Sequence, residues 1–330
     1  MKAIYLCDHS EHFDQVWASE QKSRLRSVVD ISDRMFKSDE LPAEATNLKD
    51  VEVAFSTWGM PALTEEQLDY LPNLRAVFYA AGTTRNFALP FLKRNILVVN
   101  AAAANAVPVA EFTLSQILFA LKFGWQQAMA LKNGGPENWK RRDMPGVYEN
   151  TIGIISLGLI GRKVCELLRP FVLKKLAFDP HASAETFQSL DVKSASLESL
   201  FAESEVVTLH APWLPQTEGL ITGKLIASMK PNATFINTSR GAIVNEPEMI
   251  EVLKQRPDLM AVLDVSNPEP PVTSSPLYTL PNVILTPHIA GSMGKEVRRM
   301  SDMMIDEFIA WTKGHASPHT VTFETLEKSA

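Results

Sequence analysis

The segment "TIGIISLGLIGR", residues 151–162, has the order of a β-strand, a glycine-containing turn and the start of a helix. Residues 152–155 supply an apolar strand, Gly158 permits a close approach of the backbone, and Gly161 allows the helix and strand to pack. This order is typical of a dinucleotide-binding turn, because N–H groups at a helix N-terminus attract a pyrophosphate. Ser156 stands where the pattern G-x-G-x-x-G has its first glycine, so the segment by itself is a weak signal.

Two interpretations of Ser156 are open: a working cofactor turn that tolerates serine, and a relic that has lost the cofactor. Serine adopts ordinary turn geometry and adds a hydroxyl that bonds locally, so we expect a slightly shifted turn that keeps its anion site. Asp179 favours the working turn. It ends the next predicted strand, 18 residues after Gly161, where an acid hydrogen-bonds the adenosine ribose and repels a 2′-phosphate. We therefore predict NAD, with NADP less favoured, although an Asp before Pro180 also simply starts a turn.

The chain on both sides of this turn alternates strand-like and helix-like patterns. Apolar, β-rich runs recur through the first hundred residues and again after residue 151, with helical spacing between them. Such alternation predicts parallel sheets with helices on both faces, so the fold class is α/β with two doubly wound parallel-sheet domains. The predicted strands lie at residues 3–7, 28–31, 51–58, 75–82, 96–100, 151–156, 175–179, 205–212, 234–240, 259–265 and 283–291.

A length of 330 residues also predicts two domains. Residues 105–131 predict one long helix, straight or kinked, at a position that suits a hinge. A final helix at about residues 295–313 follows the second sheet, and in such chains it commonly crosses back onto the first domain. We therefore expect a discontinuous substrate domain, residues 1–101 and 292–330, around an NAD-binding domain, residues 102–291.

Composition excludes several classes of function. The net charge is −6 and no basic run exceeds residues 140–142, so neither a nucleic acid nor a membrane is an expected partner. No stretch approaches the ~20 apolar residues of a membrane span. Cys7 and Cys165 are predicted to be buried rather than bridged, which fits a reducing cytoplasm. His9 and His12 lack further ligands at metal-binding spacing, so we expect no metal site.

Three polar segments follow predicted strands at the edge where open α/β sheets bind their ligands. They carry Arg240 in "NTSRG", Glu269 in "LDVSNPEP" and His288 in "LTPHIAG". A guanidinium grips a carboxylate with two hydrogen bonds, an imidazole exchanges a proton with a carbonyl oxygen, and a carboxylate fixes the imidazole tautomer. Taken singly, each residue fits a capping or solvated loop role equally well. Together with the glycine turn they predict acid–base catalysis beside a hydride carrier.

Longer segments resemble the D-isomer-specific 2-hydroxyacid dehydrogenase family, of the glyoxylate/hydroxypyruvate reductase or phosphoglycerate dehydrogenase kind. They are "VTLHAP", "MKPNATFINTSRGAIVNE", "AVLDVSNPEP", "PNVILTPHIAG" and, upstream, "AAGTTRN" and "ILVVNAAAANAVPVAEFTL". The resemblance spans about residues 74–313 and implies a Rossmann NAD-binding domain, a flavodoxin-like substrate domain and the catalytic set Arg240, Glu269 and His288.

The resemblance also implies binding residues. Backbone N–H groups of Ala81, Gly82 and Thr83 would hold the substrate carboxylate, with Arg240 and His288 at the reacting carbon. Trp58 is our own candidate for an apolar wall beside the substrate, and ordinary packing is its alternative role. The implied cofactor-binding residues are Val107, Ser156, Gly158, Leu159, Ile160, Gly161, Asp179, His210, Ala211, Pro212, Thr217, Thr238, Ser239 and Asp264.

The predicted function is that of an NAD-dependent oxidoreductase that interconverts a small 2-oxo acid and its D-2-hydroxy acid. A glyoxylate- or hydroxypyruvate-type substrate is favoured, because a phosphoglycerate would call for more cations near Thr83 than the single candidate Arg85. The alternative is an NAD-sensing protein of the same fold that acts as a corepressor, since such proteins keep the same polar set. A homodimer is implied, with Trp139 near the contact.

Overall fold

The structure is a computed structural model that describes residues 1–9, 11–140 and 143–328. It divides into two compact units, Met1–Asn105 with Ser292–Ala330, and Ala106–Gly291. Two arginines of the basic run at residues 140–142 lie outside the described residues. Each unit is built on one sheet.

The described residues form twelve strands, most of whose side chains are buried. They are β1 Lys2–Leu6, β2 Asp30–Phe36, β3 Val51–Ser56, β4 Ala76–Tyr79, β5 Leu97–Asn100, β6 Thr151–Ile155, β7 Lys174–Phe178, β8 Lys193–Ser194, β9 Val206–Leu209, β10 Thr234–Asn237, β11 Met260–Leu263 and β12 Val283–Leu285.

Helices connect almost all of these strands, as parallel pairing requires. They are α1 Phe13–Val16, α2 Ser19–Arg26, α3 Leu41–Leu48, α4 Glu65–Leu68, α5 Ala88–Lys93, α6 Ala102–Ala120, α7 Gly124–Gly134, α8 Leu159–Leu167, α9 Ala184–Ser189, α10 Leu197–Glu203, α11 Gly223–Ala227, α12 Glu246–Gln255, α13 Arg298–Thr312 and α14 Phe323–Lys328. Short 3₁₀ turns occur at Gly135–Asn138, Gly241–Ile243, Pro276–Tyr278 and Gly294–Val297.

The first unit contains a five-stranded parallel sheet in the order β2-β1-β3-β4-β5. This is the flavodoxin-like order of doubly wound folds. On one face, Phe308 of α13 packs edge-on against Phe55 and Phe78, with ring centroids 5.4 and 5.6 Å apart. The other face buries Leu41, Leu48 and Phe91 among further side chains. Burial of each large apolar side chain contributes about 1.5–3 kcal/mol, so both faces stabilise the sheet.

The second unit contains a seven-stranded parallel sheet in the order β12-β11-β10-β9-β6-β7-β8. Counted within the unit, this is the Rossmann order 3-2-1-4-5-6 with one further strand. The order reverses between β6 and β9, and open α/β sheets bind their ligands beside such a reversal, at the carboxyl ends of the strands. The predicted fold class is confirmed.

Several elements differ from the sequence prediction, among them the following three. The long helix expected at residues 105–131 is two helices, α6 and α7, because the chain bends at Phe123, whose φ is 49°. Strand β8 was not predicted, since a two-residue polar strand has no apolar pattern. The helix α9 was also missed, although Ser183 caps it by accepting the Thr186 N–H.

Among the described helices no single one is long and apolar enough to cross a membrane. The pair Ala102–Ala120 and Gly124–Asn138 reaches the required length and composition only when its two parts are taken together, and they are bent by 63°.

Candidate cofactor and active site

The glycine turn follows β6 in a strained conformation. Ser156 has a φ of 75°, in the left-handed region, so the expectation that serine takes up ordinary turn geometry here is wrong. Glycine adopts this conformation freely and serine does not. Gly161 is required by packing, because a Cβ there would lie 2.0 Å from the Ser156 carbonyl oxygen. At Gly158 a Cβ would have the Ser156 hydroxyl, 3.9 Å away, as its nearest neighbour, so the space beside the turn is open.

Asp179 follows β7 and holds this turn. Its Oδ2 accepts hydrogen bonds from the Leu157 N–H at 2.7 Å and from the Ser156 hydroxyl at 3.4 Å. Its Oδ1 accepts the N–H groups of His181 and Ala182 at 2.8 and 3.1 Å. Asp179 therefore starts the turn that follows it, as the alternative interpretation expects, and it also stabilises the glycine turn. The ribose contact stays a prediction.

The start of α8 fits an anion. Gly158 is its N-cap and supplies no side-chain cap, and the first turn contains no acidic residue. The first N–H groups of a helix lack intrahelical acceptors and carry the positive end of the helix dipole. The amides predicted to meet a pyrophosphate, those of Leu159 and Ile160, belong to this turn. The residues present therefore suit the pyrophosphate of a dinucleotide.

The other predicted cofactor residues follow neighbouring strand ends of the same sheet, apart from one that lies in α6. Hydrogen bonds connect these segments: the Ser239 hydroxyl donates to the Ala211 carbonyl, and the hydroxyls of Thr113 in α6 and Thr238 after β10 lie 3.1 Å apart. The residues concerned are Val107 in α6, His210, Ala211, Pro212 and Thr217 after β9, Thr238 and Ser239 after β10, and Asp264 after β11.

His210 is buried at the end of β9. Its Nε2 lies 3.1 Å from the Thr208 hydroxyl, and its Nδ1 has no hydrogen-bond partner among the described residues. Burial disfavours the charged imidazolium and lowers the pKa of His210 to about 3. The ring is therefore neutral at physiological pH and is unsuited to donate a proton to a substrate.

Glu269 and His288 meet where the chain continues beyond the ends of β11 and β12. The His288 Nδ1 lies 2.6 Å from the Glu269 Oε1, and both side chains are exposed, at 45% and 41% respectively. His288 has a φ of 54° and follows β12. Because Nδ1 is engaged by the carboxylate, Nε2 is the ring nitrogen left for proton exchange with a ligand.

Arg240 follows β10 and is half-buried. Burial lowers the pKa of its guanidinium, and the negative charge of Glu269 acts in the opposite direction. Its Nη1 donates to the Ser239 carbonyl at 2.7 Å. A Cβ at Gly241 would lie 2.0 Å from the Ser266 carbonyl carbon, so only glycine lets the chain after Arg240 pass this closely beside the segment leading to Glu269. The structure thus brings a guanidinium, a carboxylate and an imidazole into one unit.

Two positioning residues were not singled out from the sequence. Asn237 accepts the Ser239 N–H at 2.9 Å and donates to the Arg240 carbonyl at 3.1 Å, which fixes the turn that bears the guanidinium. Glu246 accepts the Asn267 N–H at 2.9 Å, and burial raises its pKa. An asparagine at a strand end was the available signal for the first, whereas Glu246 looked like an ordinary first-turn helix acid.

The predicted substrate-side residues lie in the first unit. Ala81, Gly82 and Thr83 follow β4, and Trp58 follows β3. Trp58 is half-buried against the apolar cores on both faces of the sheet, and the His12 ring meets it edge-on with centroids 6.0 Å apart. The packing alternative for Trp58 therefore has direct support. A role in substrate binding stays a prediction.

Comparison with known proteins identifies the family. Residues 115–290 match the model of the D-isomer specific 2-hydroxyacid dehydrogenase, NAD binding domain. The chain belongs to the D-isomer specific 2-hydroxyacid dehydrogenase family. This confirms the family predicted from sequence, and NAD is confirmed as the cofactor of the matched domain.

Relatives of this dehydrogenase family differ in how much of their length the chain spans. It is 34% identical over 220 residues to a D-3-phosphoglycerate dehydrogenase of Methanocaldococcus jannaschii, which covers 66% of the chain but only 41% of the relative. Other phosphoglycerate dehydrogenases are likewise spanned to about half, 45% and 54%. A glyoxylate reductase of Korarchaeum cryptofilum is 28% identical over 325 residues, 96% of the chain and 92% of the relative.

A solved structure of the family supports the fold. The NAD-complexed D-isomer specific 2-hydroxyacid dehydrogenase of Lactobacillus delbrueckii ssp. bulgaricus superposes with a TM-score of 0.79. It is 21% identical, and the match covers 97% of this chain and all of that one.

Proposed function

We propose that this chain is an NAD-dependent dehydrogenase that interconverts a small 2-oxo acid and its D-2-hydroxy acid. The observation that carries the proposal is the 2.6 Å contact between His288 Nδ1 and Glu269 Oε1, in the unit that matches an NAD binding domain. Bound NAD supplies the hydride carrier. The side chains supply a proton donor and acceptor, a charge that orients it, and a cation for the substrate.

His288 moves the proton in this reaction. Glu269 accepts a hydrogen bond from the Nδ1–H group, which fixes the ring so that it presents Nε2 to the substrate. In the reductive direction the protonated imidazole gives its Nε2 proton to the carbonyl oxygen at C2, and the Glu269 carboxylate stabilises the imidazolium beforehand. In oxidation Nε2 takes the hydroxyl proton back. Such acid–base catalysis contributes typically ~10²–10⁴-fold.

Arg240 binds and orients the substrate. A planar guanidinium makes two parallel hydrogen bonds to a carboxylate, and it stays charged despite burial. Partial burial strengthens its attraction for the substrate's carboxylate and polarised carbonyl oxygen, because the local dielectric is low. Backbone N–H groups of Ala81, Gly82 and Thr83 are proposed to hold the same carboxylate, with Trp58 beside the substrate.

The cofactor is proposed to lie along the strand ends of the second unit. Leu159 and Ile160 would offer amides to the pyrophosphate, and Asp179 would meet the ribose and disfavour a 2′-phosphate. Neutral, buried His210 and its neighbours along β9 and β10 would line the remainder, with Val107 in α6. NAD is therefore preferred to NADP.

Glyoxylate or hydroxypyruvate is the favoured substrate. A phosphoglycerate would call for more cations near Thr83 than the single candidate that the sequence offers there, Arg85. The decisive experiment follows NADH absorbance with a panel of glyoxylate, hydroxypyruvate, pyruvate and 3-phosphohydroxypyruvate, repeated with NADPH.

His288→Gln and Arg240→Ala should each reduce turnover of every accepted acid, by about 10²-fold or more. His315→Gln and Arg26→Ala, which change exposed residues of the first unit, are the matched controls and should retain activity. Undiminished turnover in both active-site variants would contradict the assignment. NAD binding without turnover of any acid would instead favour the NAD-sensing alternative.

A homodimer is proposed through α6 and α7. The structure describes all of α7, and none of its side chains is buried. Phe119 and Trp139 are 42% and 81% exposed. Exposed aromatic side chains of this kind are common at protein interfaces. Light scattering should give a dimer that Trp139→Ser with Phe119→Ser weakens, whereas Tyr278→Ser, elsewhere on the same unit, should not. A monomeric wild type at micromolar concentration would contradict this.

A cytoplasmic location is proposed because both cysteines are free and buried, as is usual in a reducing compartment.

A further inference from the structure

The backbone of the loop that bears His288 is bonded almost entirely to one neighbouring strand end. The Thr286 N–H donates to the Leu263 carbonyl at 2.9 Å, which continues the β11–β12 pairing. Pro287 has no N–H, and the His288 N–H donates to the Asp264 carbonyl at 3.0 Å. The loop therefore remains attached to the end of β11 after β12 itself has ended.

The carboxylate of Asp264 takes up the next donors of the loop. Its Oδ1 accepts the Thr286 hydroxyl at 2.6 Å and the Ile289 N–H at 2.8 Å, and its Oδ2 accepts the Ala290 N–H at 2.8 Å. Each available backbone N–H from residue 286 to residue 290 thus ends on β11 or on Asp264, four of them in all. The hydrogen bonds to its carboxylate offset the free-energy cost of burying the charge of Asp264.

Asp264 is far more buried than His288 and Glu269. Asp264 is 2% exposed, whereas the side chains of His288 and Glu269 are 45% and 41% exposed. Packing therefore restrains the carboxylate, whereas the exposed imidazole is held by its hydrogen bond to Glu269. His288 also has a φ of 54°, in the left-handed region that few non-glycine residues adopt.

We propose that Asp264 is the positioning residue of His288: its carboxylate holds residues 286–290 so that the left-handed backbone aims the imidazole at Glu269. Asp264 acts through the loop and does not contact the ring, whose bonded partner is Glu269. Three of its hydrogen bonds serve this purpose, which is additional to the cofactor contact implied by resemblance. The inference rests on the proposed function only for what His288 does once it is aimed.

Two variants separate the carboxylate from its contacts. Asp264→Asn keeps the shape but replaces one acceptor oxygen with an NH₂ donor, so either the Ala290 N–H or the pair formed by the Thr286 hydroxyl and the Ile289 N–H faces a donor. Thr286→Val removes a single hydrogen bond at nearly constant volume and protects the test if the first variant folds poorly. Asp258→Asn, which alters a backbone-bonded aspartate on the loop before β11, is the matched control.

The first measurement is amide hydrogen exchange at Ile289 and Ala290 in the cofactor-free protein. We expect exchange to accelerate about tenfold or more in Asp264→Asn, less in Thr286→Val and not at all in Asp258→Asn. Exchange at these two amides that is unchanged in a folded Asp264→Asn protein would overturn the proposal. The result is informative even if no 2-oxo acid is turned over, so it is independent of the proposed function.

The second measurement compares turnover with cofactor affinity. In Asp264→Asn we expect kcat to fall about 100-fold and the pH profile of kcat/KM to shift, because the imidazole loses its alignment with Glu269. The Kd for NADH, measured by fluorescence, should rise much less than kcat falls, because the hydrogen bonds that the variant disturbs hold the loop. A Kd that rises in proportion to the lost activity would mean that Asp264 acts through cofactor binding instead.

Discussion

Two loops of the second unit, the glycine turn after β6 and the histidine loop after β12, each hold a residue in the left-handed backbone conformation. Each contains a non-glycine residue with positive φ, Ser156 at 75° and His288 at 54°. In each, the next residue along the chain donates its N–H to an aspartate that directly follows the neighbouring strand, Asp179 after β7 and Asp264 after β11. A carboxylate at a strand end thus stabilises a left-handed residue twice in one sheet.

The loops differ in which groups they leave for a ligand. In the histidine loop every backbone N–H from residue 286 to residue 290 donates to β11 or to Asp264, so the loop presents a side chain, the imidazole of His288. The glycine turn continues into α8, whose first N–H groups have no intrahelical acceptor and stay available to an anion. Asp179 divides its two oxygens between this turn and the next, whereas Asp264 commits both to one loop. The glycine turn, which would bind a ligand through its backbone, is bonded to only one oxygen of its aspartate. The histidine loop, which presents a side chain, is bonded to both oxygens of its aspartate.

Among changes around the glycine turn, Asp179→Asn should give the largest effect. The amide keeps one acceptor oxygen, so either the Leu157 N–H or the two donors at residues 181–182 lose their partner, at a cost of about 2 kcal/mol. We expect NAD affinity to fall roughly 30-fold, while kcat at saturating NAD stays within about threefold. Asp191→Asn, an exposed aspartate of the same unit, is the control. A collapse of kcat with unchanged affinity would show that the two loops do not divide their roles in this way.

Much of this site followed from the sequence for a simple reason. Parallel strands bring their carboxyl ends to one edge, so polar residues that follow apolar runs converge there. Arg240, Glu269 and His288 were predicted together on that basis, and the structure joins Glu269 to His288 at 2.6 Å. The two sheets and their parallel pairing were predictable for the same reason, because apolar runs alternated with helical spacing.

The supports of the site could not be predicted. The contacts of Asp264 join residues 22 to 26 positions apart along the chain, and no local pattern encodes which carboxylate meets which N–H. The positive φ of Ser156 was missed because serine has no strong preference for it, so tertiary contacts decide its conformation. The break at Phe123 was missed for a similar reason: the helical pattern continues across it, and the left-handed residue interrupts the helix without a glycine or proline at that position.

A third strand end lies between the two loops and offers a test by pH. His210 follows β9, and its N–H donates to the Ile155 carbonyl just before the glycine turn. Its pKa falls from 6.5 to about 3 in the folded protein, so between these values the unfolded chain binds the extra proton and stability decreases as the pH is lowered. At pH 5.5 this loss should be about 1.4 kcal/mol relative to neutral pH.

Urea unfolding of wild type and His210→Asn at pH 7.5 and pH 5.5 measures this contribution. The quantity compared is the change in unfolding free energy between the two pH values, in wild type and in the variant. The variant loses some stability at both pH values through the cavity it creates, but its loss between them should be smaller than that of wild type. His315→Asn, which changes an exposed histidine, should retain the full wild-type pH dependence. Equal pH dependence in wild type and His210→Asn would mean that the imidazole is not held neutral beside the turn.

Ser156→Gly should give the smallest effect of these changes. Glycine relieves a left-handed strain of about 1 kcal/mol but loses the 3.4 Å contact of the hydroxyl with Asp179 and raises the entropy of the unfolded chain. We expect a net change in unfolding free energy below about 1 kcal/mol and a change in NAD affinity below about threefold, because the Leu157 N–H still reaches Asp179. Glu149→Gly relieves an exposed residue with a φ of 57° and should alter stability alone. If Ser156→Gly weakened NAD binding as much as Asp179→Asn, the hydroxyl and not the backbone would be what Asp179 holds, and the likeness to the histidine loop would fail.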